Sequence, residues 1–519
     1  MDLPLTLRVF LLLSSLNIAV WTCPDGCQCQ GTKILCRGLS NFPTALPSFT
    51  TVLSVSNSSI YLLKPEDLND FSNALALFLI ENSILQEVHP GTFDAAPNIV
   101  SIGFTGTALQ DLPETLFNNQ KKLEILSLKS NELMVLRPNW FSPLTHLRGL
   151  DLSKNKISSV PEGTFKGLSD LQLLRLSKNS LQELPIGSLD DLINLVELSL
   201  NDNQITHLNP DLFSNTPKLR KLYVSNNRLT SLPQGIFLNL PQLLQISLYE
   251  NQLESLGPGV FGPMPLQELW LYDNKLRRVE DDTFRNLTQL RLLVLSRNQI
   301  RHVSTGAFGG LGQLGEVSLH TNLLTTLQAG TFQGLPSLVN ISLEHNIISS
   351  LPRGFLQGLS HLGQIDLRNN SLRNLPEESL DELIVTKEVL LEQNPWRCDK
   401  DILPLRDWLK HHPSKVNQTL VVCETPFNRT GEMISLLTNE DLMLLSSTKE
   451  PVFTTTDQHL PTPTSSGQEE QETSTLIILI SIAIVATVII TMVITSCLCW
   501  RKKRRGRGNI GDRNRNSVL

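Results

Sequence analysis

Between residues 50 and 394 the apolar positions fall in short alternating runs such as LEILSL, LRGLDL and LQELWL, each followed by two polar residues, an asparagine and another apolar residue. Strict alternation over a few positions is the signature of a strand with one buried face. The runs recur. Aligned on LxxLxLxxNxL, the asparagine slot holds Asn82, Asn131, Asn155, Asn179, Asn203, Asn227, Asn251, Asn274, Asn298, Asn322, Asn346, Asn370 and Asn394, with Ser58 and Thr107 in the same place. Of the fourteen intervals between these positions twelve are 24 residues, one is 25 and one is 23. About ten residues after the slot lies a phenylalanine, at Phe117, Phe141, Phe165, Phe213, Phe237, Phe261, Phe284, Phe308 and Phe332. The segments between strands, such as SSVPEGTFKGLSD, are rich in Pro, Gly and Asp and too short for a full helix.

A fixed period of this length, carrying leucines that one unit cannot bury alone, identifies a leucine-rich-repeat array. The predicted fold is an α/β solenoid, or horseshoe, of about 15 repeats: short parallel strands on the concave face, a mostly irregular convex side, an inner spine of phenylalanines, and asparagine side chains bonding the backbone where each strand turns. More strand than helix is expected.

Both ends of such an array expose apolar core and need caps. Of eight cysteines, Cys23, Cys27, Cys29 and Cys36 precede the repeats, Cys398 and Cys423 follow them, and Cys497 and Cys499 stand apart. Six cysteines in an oxidising compartment favour disulfides over zinc or redox chemistry, with three connectivities open to the first four. CPDGCQCQGTKILC and NPWRCDKDILPLRDWL resemble the terminal caps of extracellular leucine-rich-repeat membrane glycoproteins, and the resemblance runs from about 23 to 423, most strongly in FGPMPLQELWLYDN and the second cap. It implies the bridges Cys23–Cys29 and Cys27–Cys36. In the second cap Lys400 stands where a cysteine is usual, which leaves Cys398 to pair with Cys423. The resemblance also implies adhesion or cell–matrix recognition at the plasma membrane.

The flanks suit that reading. Residues 1–22 carry Arg8 and the run VFLLLSSLNIAV, too short to span a bilayer, and read as a secretory signal peptide. Residues 476–500 are uncharged and long enough for a transmembrane helix; RKKRRGR follows, so the positive-inside rule gives a single-pass type I protein. The expected organisation is thus a signal peptide (1–22), cysteine cap (23–49), repeats (50–394), second cap (395–445), Ser/Thr/Pro stalk (446–475), membrane helix (476–500) and basic cytoplasmic tail (501–519). The stalk has 13 Ser or Thr and three Pro in 30 residues, a composition for an extended, O-glycosylated spacer. Cys497 and Cys499 are candidates for palmitoylation, or are plain packing residues. The tail is too short to fold and ends in Ser517-Val518-Leu519, a form that PDZ domains read by strand addition.

Charge narrows the partners. The tail holds eight Lys or Arg and one Asp, net +7; with −6 for the chain, the remainder carries −6 − 7 = −13. A nucleic-acid binder would put a basic footprint on its main domain, so nucleic acid is not expected. No catalytic motif is found: no GxSxG, HExxH or Walker A. GLGQLG at 310–315 matches GxGxxG but lies in a turn between repeats, and His411–His412 is the one adjacent histidine pair, without accompanying acid or nucleophile. An enzyme, a cofactor and a metal site are therefore not expected.

Solenoids of this kind bind through the sheet, whose outward positions here are mostly small or polar. Against that background Tyr223, Tyr249, Trp270 and Tyr272 fall on outward positions of three adjacent repeats, with Glu250, Glu268 and Asp273 beside them. Clustered exposed aromatics have the composition of a binding hot spot, although cross-strand stiffening is the competing use. Lys129, Lys154, Arg175 and Lys178 form a basic stretch on the N-terminal side. Sequons lie at Asn57, Asn286, Asn340, Asn369, Asn417 and Asn428; glycans on Asn340 and Asn369 would screen the C-terminal part of the face. The functional expectation is an extracellular protein or matrix ligand held by a receptor or adhesion protein, with a co-receptor or a stabilising subunit as the alternative.

Overall fold

The computed structural model describes residues 23–443 except 45, 72 and 258. The signal peptide, the stalk, the membrane helix, the tail with its PDZ-type terminus, Cys497, Cys499 and the last two residues of the second cap lie outside the described residues. Among the described residues no helix is long and apolar enough to cross a membrane.

A short antiparallel hairpin, Cys27–Gln30 with Lys33–Arg37, opens the fold and faces Cys27 to Cys36. Lys33–Arg37 then pairs in parallel with Val52–Ser56, and the parallel ladder continues to Thr386–Leu390. The sheet has 17 strands, most only three residues long. In the rung Glu268–Trp270, Leu269 and the following Leu271 are fully buried while Glu268 and Trp270 point away from the core. This is the alternation expected of a strand, cut short because the chain must turn back within one 24-residue unit. Between Phe141 and Glu377 no helix forms among the described residues; turns make up that side of the array.

The asparagine slot supplies the turn. Asn274 donates from Nδ2 to the carbonyls of Leu248 (3.0 Å) and Leu271 (3.1 Å), and its Oδ1 accepts the Leu253 N–H at 3.0 Å. The pattern repeats from Asn131 to Asn394, so each asparagine stitches its own rung to the preceding one. One position departs from the sequence alignment. Leu77 pairs with Ser101, which brings Ser83 and not Asn82 level with Thr107. Ser83 Oγ accepts the Ser58 N–H at 3.1 Å and donates to the Glu81 carbonyl at 3.0 Å. Asn82 instead has φ +48°, the left-handed position that precedes the slot in the repeats and that asparagine tolerates well. The 25-residue unit is therefore the first one, from Ser58 to Ser83.

The phenylalanines form a core stack with centroid separations of 5.9 to 6.3 Å in the pairs Phe141–Phe165, Phe213–Phe237, Phe237–Phe261 and Phe308–Phe332. Leu189 fills the gap between Phe165 and Phe213 and is buried. Phe93, not singled out in the sequence, extends the stack onto Phe117 at 6.2 Å. The ends are closed by disulfides Cys23–Cys29, Cys27–Cys36 and Cys398–Cys423, the pairing that the cap resemblance implies. In the second cap the helix Leu403–His411 buries Leu405, Trp408 and Leu409 over the last rung.

Candidate ligand-binding face

Each rung presents four outward positions: the first and third residues of the strand segment, then the two residues ahead of the asparagine. Register places Lys221, Gln245, Glu268 and Leu292 in one column and Tyr223, Ser247, Trp270 and Val294 in the next. Tyr249 and Tyr272 follow in the third column, and Glu250 and Asp273 in the fourth, where both adopt φ near +50°.

The four aromatics do not form one stack. Tyr249 and Tyr272 lie face to face, with centroids 4.4 Å apart and planes at 7°. Tyr223 and Trp270 are two rungs apart with buried Ser247 between them, and Tyr223 donates to Gln245 Oε1 at 3.3 Å. Trp270 Nε1 is covered by its surroundings and has no acceptor among the described residues, which leaves a buried donor at the centre of the patch. All four rings are half-buried, so part of each stays in contact with water. Leu292 and Val294, half-buried on the rung after Trp270, carry the apolar surface one strand further. A search for aromatics overlooks them, although an alternation count could have found two aliphatic residues on outward positions of one strand.

Electrostatics differ around the patch. Burial, with Glu197 and Glu268 nearby, raises the Tyr223 hydroxyl above its usual range. Tyr272 is pushed up to about 12, first by burial and then by the Tyr249 ring hydroxyl and the carboxylates of Glu250 and Asp273. Both tyrosines are therefore neutral donors at physiological pH. Asp273 is paired with Arg297 at 2.8 Å, whereas Glu250 and Glu268 have no ion-pair partner among the described residues. The basic stretch is weaker than its sequence suggests, because Arg175 sits 3.2 Å from Glu197 and 3.9 Å from Asp151. Lys129, Lys154 and Lys178 make no such pairs among the described residues, and the last two occupy left-handed positions at the edge of the face.

Of the sequons, Asn57, Asn286, Asn417 and Asn428 are exposed, while Asn340 and Asn369 are half-buried on the sheet face. Asn369 donates to Gln393 Oε1. The glycine motif at 310–315 has a structural cause: Gly310 has φ +88°, and a Cβ there would stand 2.6 Å from the Arg285 carbonyl oxygen of the preceding repeat. His411 and His412 bond the carbonyls of Asp407 and Trp408 at the end of their helix. No cluster of three His, Cys, Asp or Glu that could hold a metal occurs among the described residues.

Human leucine-rich repeat-containing protein 15 is similar at 47% identity over 45 residues, 8% of each chain. Mouse nephrocan is similar at 31% over 139 residues, 26% of each chain, and mouse SLIT and NTRK-like protein 4 at 32% over 84 residues, 14% of this chain and 10% of that one. The chain thus spans about a quarter or less of the length of these curated relatives. Among solved structures, a leucine-rich-repeat protein of Leptospira interrogans aligns with TM-score 0.58 and 26% identity over 70% of this chain and 89% of that one. The Toll–Spatzle complex of Drosophila aligns with TM-score 0.57 and 24% identity over 76% and 61%, a likeness of fold. The family described as leucine rich repeat matches in overlapping stretches, 97–157, 145–205, 171–229, 217–266, 265–323, 302–348, 313–372 and 336–395. These stretches are continuous over more than half of the 519 residues, and the chain belongs to the leucine-rich-repeat family.

Proposed function

We propose that this is a cell-surface recognition protein whose sheet face binds an extracellular protein or matrix ligand, with Tyr223, Tyr249, Trp270 and Tyr272 as the anchor and Leu292 and Val294 as its apolar margin. The observation that carries the reading is the buried Trp270 Nε1, without an acceptor among the described residues, at the centre of a cluster of four aromatic rings on the sheet face. A buried donor without a partner is held at a cost of about 1 to 3 kcal/mol, which a ligand acceptor offsets once the indole turns toward it. The Tyr249–Tyr272 stack serves a second purpose, fixing two large rings so that little side-chain entropy is lost on binding. Membership of the leucine-rich-repeat family supports the reading, and one structural neighbour is Toll in complex with Spatzle. Anchorage in the plasma membrane comes from the sequence of residues 476–500, and a recognition role without catalysis from the absence of catalytic motifs.

The test is crosslinking on living cells that display the full chain, followed by mass spectrometry, with wild type and the Trp270→Ala/Tyr272→Ala variant in parallel. Surface display should be equal, and at least one protein captured by the wild type should be lost from the variant. Capture of an identical set by both chains would refute the assignment.

A further inference from the structure

The first rungs of the sheet are apolar on their outward side. Register aligns Lys33, Val52, Leu77, Ser101 and Ile125 in the first column and Leu35, Ser54, Leu79, Gly103 and Ser127 in the second. Ile125 is 51% exposed, Leu35 44% and Val100, just ahead of Ser101, 37%. Val52, Leu77 and Leu79 are half-buried. Leu79 lies across Gly103, where an added Cβ would stand 2.6 Å from its Cδ2, and Ile125 would meet the same atom on Gly149 at 3.9 Å. The glycines thus let aliphatic side chains lie flat. The result is a low apolar floor across five rungs, about 19 Å long at a strand spacing of about 4.8 Å. Its charges are uneven. Lys33 and Arg37 stand on the first of these rungs and Lys129 on the last, none with an ion-pair partner among the described residues. Glu81 is the one carboxylate on the outward positions of the five rungs.

Aliphatic side chains scattered singly on a surface need no explanation, but a contiguous group of them marks an interaction surface. Strand addition is not available there, because each of the five strands is already hydrogen-bonded on both sides. An extended segment laid across the floor would bring unpaired amides against apolar carbons. A helix satisfies its own backbone, and roughly three and a half turns cover the length of the floor. Basic residues along the flank of such a helix would face Lys33, Arg37 and Lys129 at a cost, whereas acidic ones there gain three unpaired cations. We propose that this floor docks one acidic amphipathic α-helix of a partner protein, with its apolar face on Leu77 and Ile125 and its carboxylates toward Arg37 and Lys129. The surface is separate from the aromatic patch, since three rungs lie between Ile125 and Tyr223. Asn57, the sequon on these rungs, is in the fourth column, beside the floor.

The experiment uses the full chain in phosphatidylcholine nanodiscs, carrying Ser59→Ala to remove the Asn57 sequon, with empty discs as the blank. The probes are labelled helical peptides of roughly four turns. One has leucine on one face and glutamate on the other, the second has lysine in place of glutamate, and the third is a scrambled form of the first. Fluorescence anisotropy should show the glutamate peptide binding at least about tenfold more tightly than the other two. Leu77→Ser/Ile125→Ser should weaken it at least about tenfold. Arg37→Glu/Lys129→Glu changes only side chains outside the core and should reverse the preference toward the lysine peptide, so the test stands even where the serine variant folds poorly. Trp270→Ala/Tyr272→Ala should leave the glutamate peptide's affinity unchanged, which separates this surface from the patch. The proposal is overturned by absent binding of the glutamate peptide, by equal binding of the lysine or scrambled peptide, by an unaltered preference in the charge-reversed variant, or by loss of binding in the aromatic variant.

Discussion

Replacing Asn274 by alanine tests how the solenoid holds the rung that carries Trp270 and Tyr272. The side chain makes three donor contacts and one acceptor contact, so a simple count suggests four broken bonds. The count overstates the damage. The Leu248 carbonyl also accepts from Asn251 Nδ2 at 3.1 Å, the Leu271 carbonyl from Asn298 Nδ2 at 2.9 Å, and the Tyr272 carbonyl from the Glu250 N–H at 3.0 Å. Only the Leu253 N–H, which donates to Asn274 Oδ1, is left buried without an acceptor. One orphaned donor costs about 1 to 3 kcal/mol, and the small void left by the amide brings the expected loss to about 2 to 4 kcal/mol. Asn274→Asp should be worse than alanine: it keeps an acceptor for Leu253 but turns a carboxylate oxygen toward two carbonyls in a buried site. Because a repeat array unfolds by neighbouring units, the assay is amide hydrogen exchange read residue by residue, alongside denaturant unfolding. In Asn274→Ala the Leu253 amide should lose protection while amides of distant rungs, such as Leu126, keep theirs. An unchanged Leu253 amide, or an aspartate variant more stable than the alanine one, would refute the shared-carbonyl account.

Three further outcomes follow from single sites. Gly310→Ala should lower the thermal midpoint by an amount equivalent to roughly 2 to 4 kcal/mol, through left-handed strain plus the clash with the Arg285 carbonyl, whereas Gly312→Ala, where an added Cβ meets nothing within 4 Å, should be nearly neutral. The Arg137 guanidinium, 2.7 Å from Asp111, holds that carboxyl below the usual range; a lowered carboxyl stabilises the fold above about pH 4 and ceases to as pH falls through its lowered value. With both side chains exposed, Arg137→Gln should lower the unfolding midpoint only slightly at neutral pH and not at all in strong acid, measured as the pH dependence of that midpoint. In an ultraviolet titration of the four tyrosines, one should ionise near pH 12, and Tyr249→Phe should bring that transition down.

The period, the inward leucines, the phenylalanine stack and the caps were legible because each repeats a physical demand in every unit. The turn needs an amide, the core needs leucine, and the ends need closure. The one misplacement, Asn82 for Ser83, arose where a serine does the stitching and an asparagine sits in the left-handed position before it; both residues suit a turn, and only strand register separates them. The aromatic columns were legible for the same reason as the leucines, since the repeat number fixes the facing of every residue. What the pattern does not encode is which neighbours pair. Arg175 reads as part of a basic stretch until Glu197, 22 residues later, is found on the adjacent rung.

That distinction bears on how such a scaffold acquires specificity. The stitched backbone is the same beneath Tyr272, which is stacked on its neighbour, and beneath Glu392, whose Oε2 is buried without a hydrogen-bond partner among the described residues. Because Asn274 and Asn394 satisfy the backbone independently of the outward side chains, a rung can carry an unfavourable group on its face without losing its place in the sheet. The cost of the Trp270 donor is therefore borne locally, against a core that does not depend on it. Side chains held in that way lower the reorganisation needed on binding, since the groups a ligand would satisfy are already desolvated and fixed before it arrives.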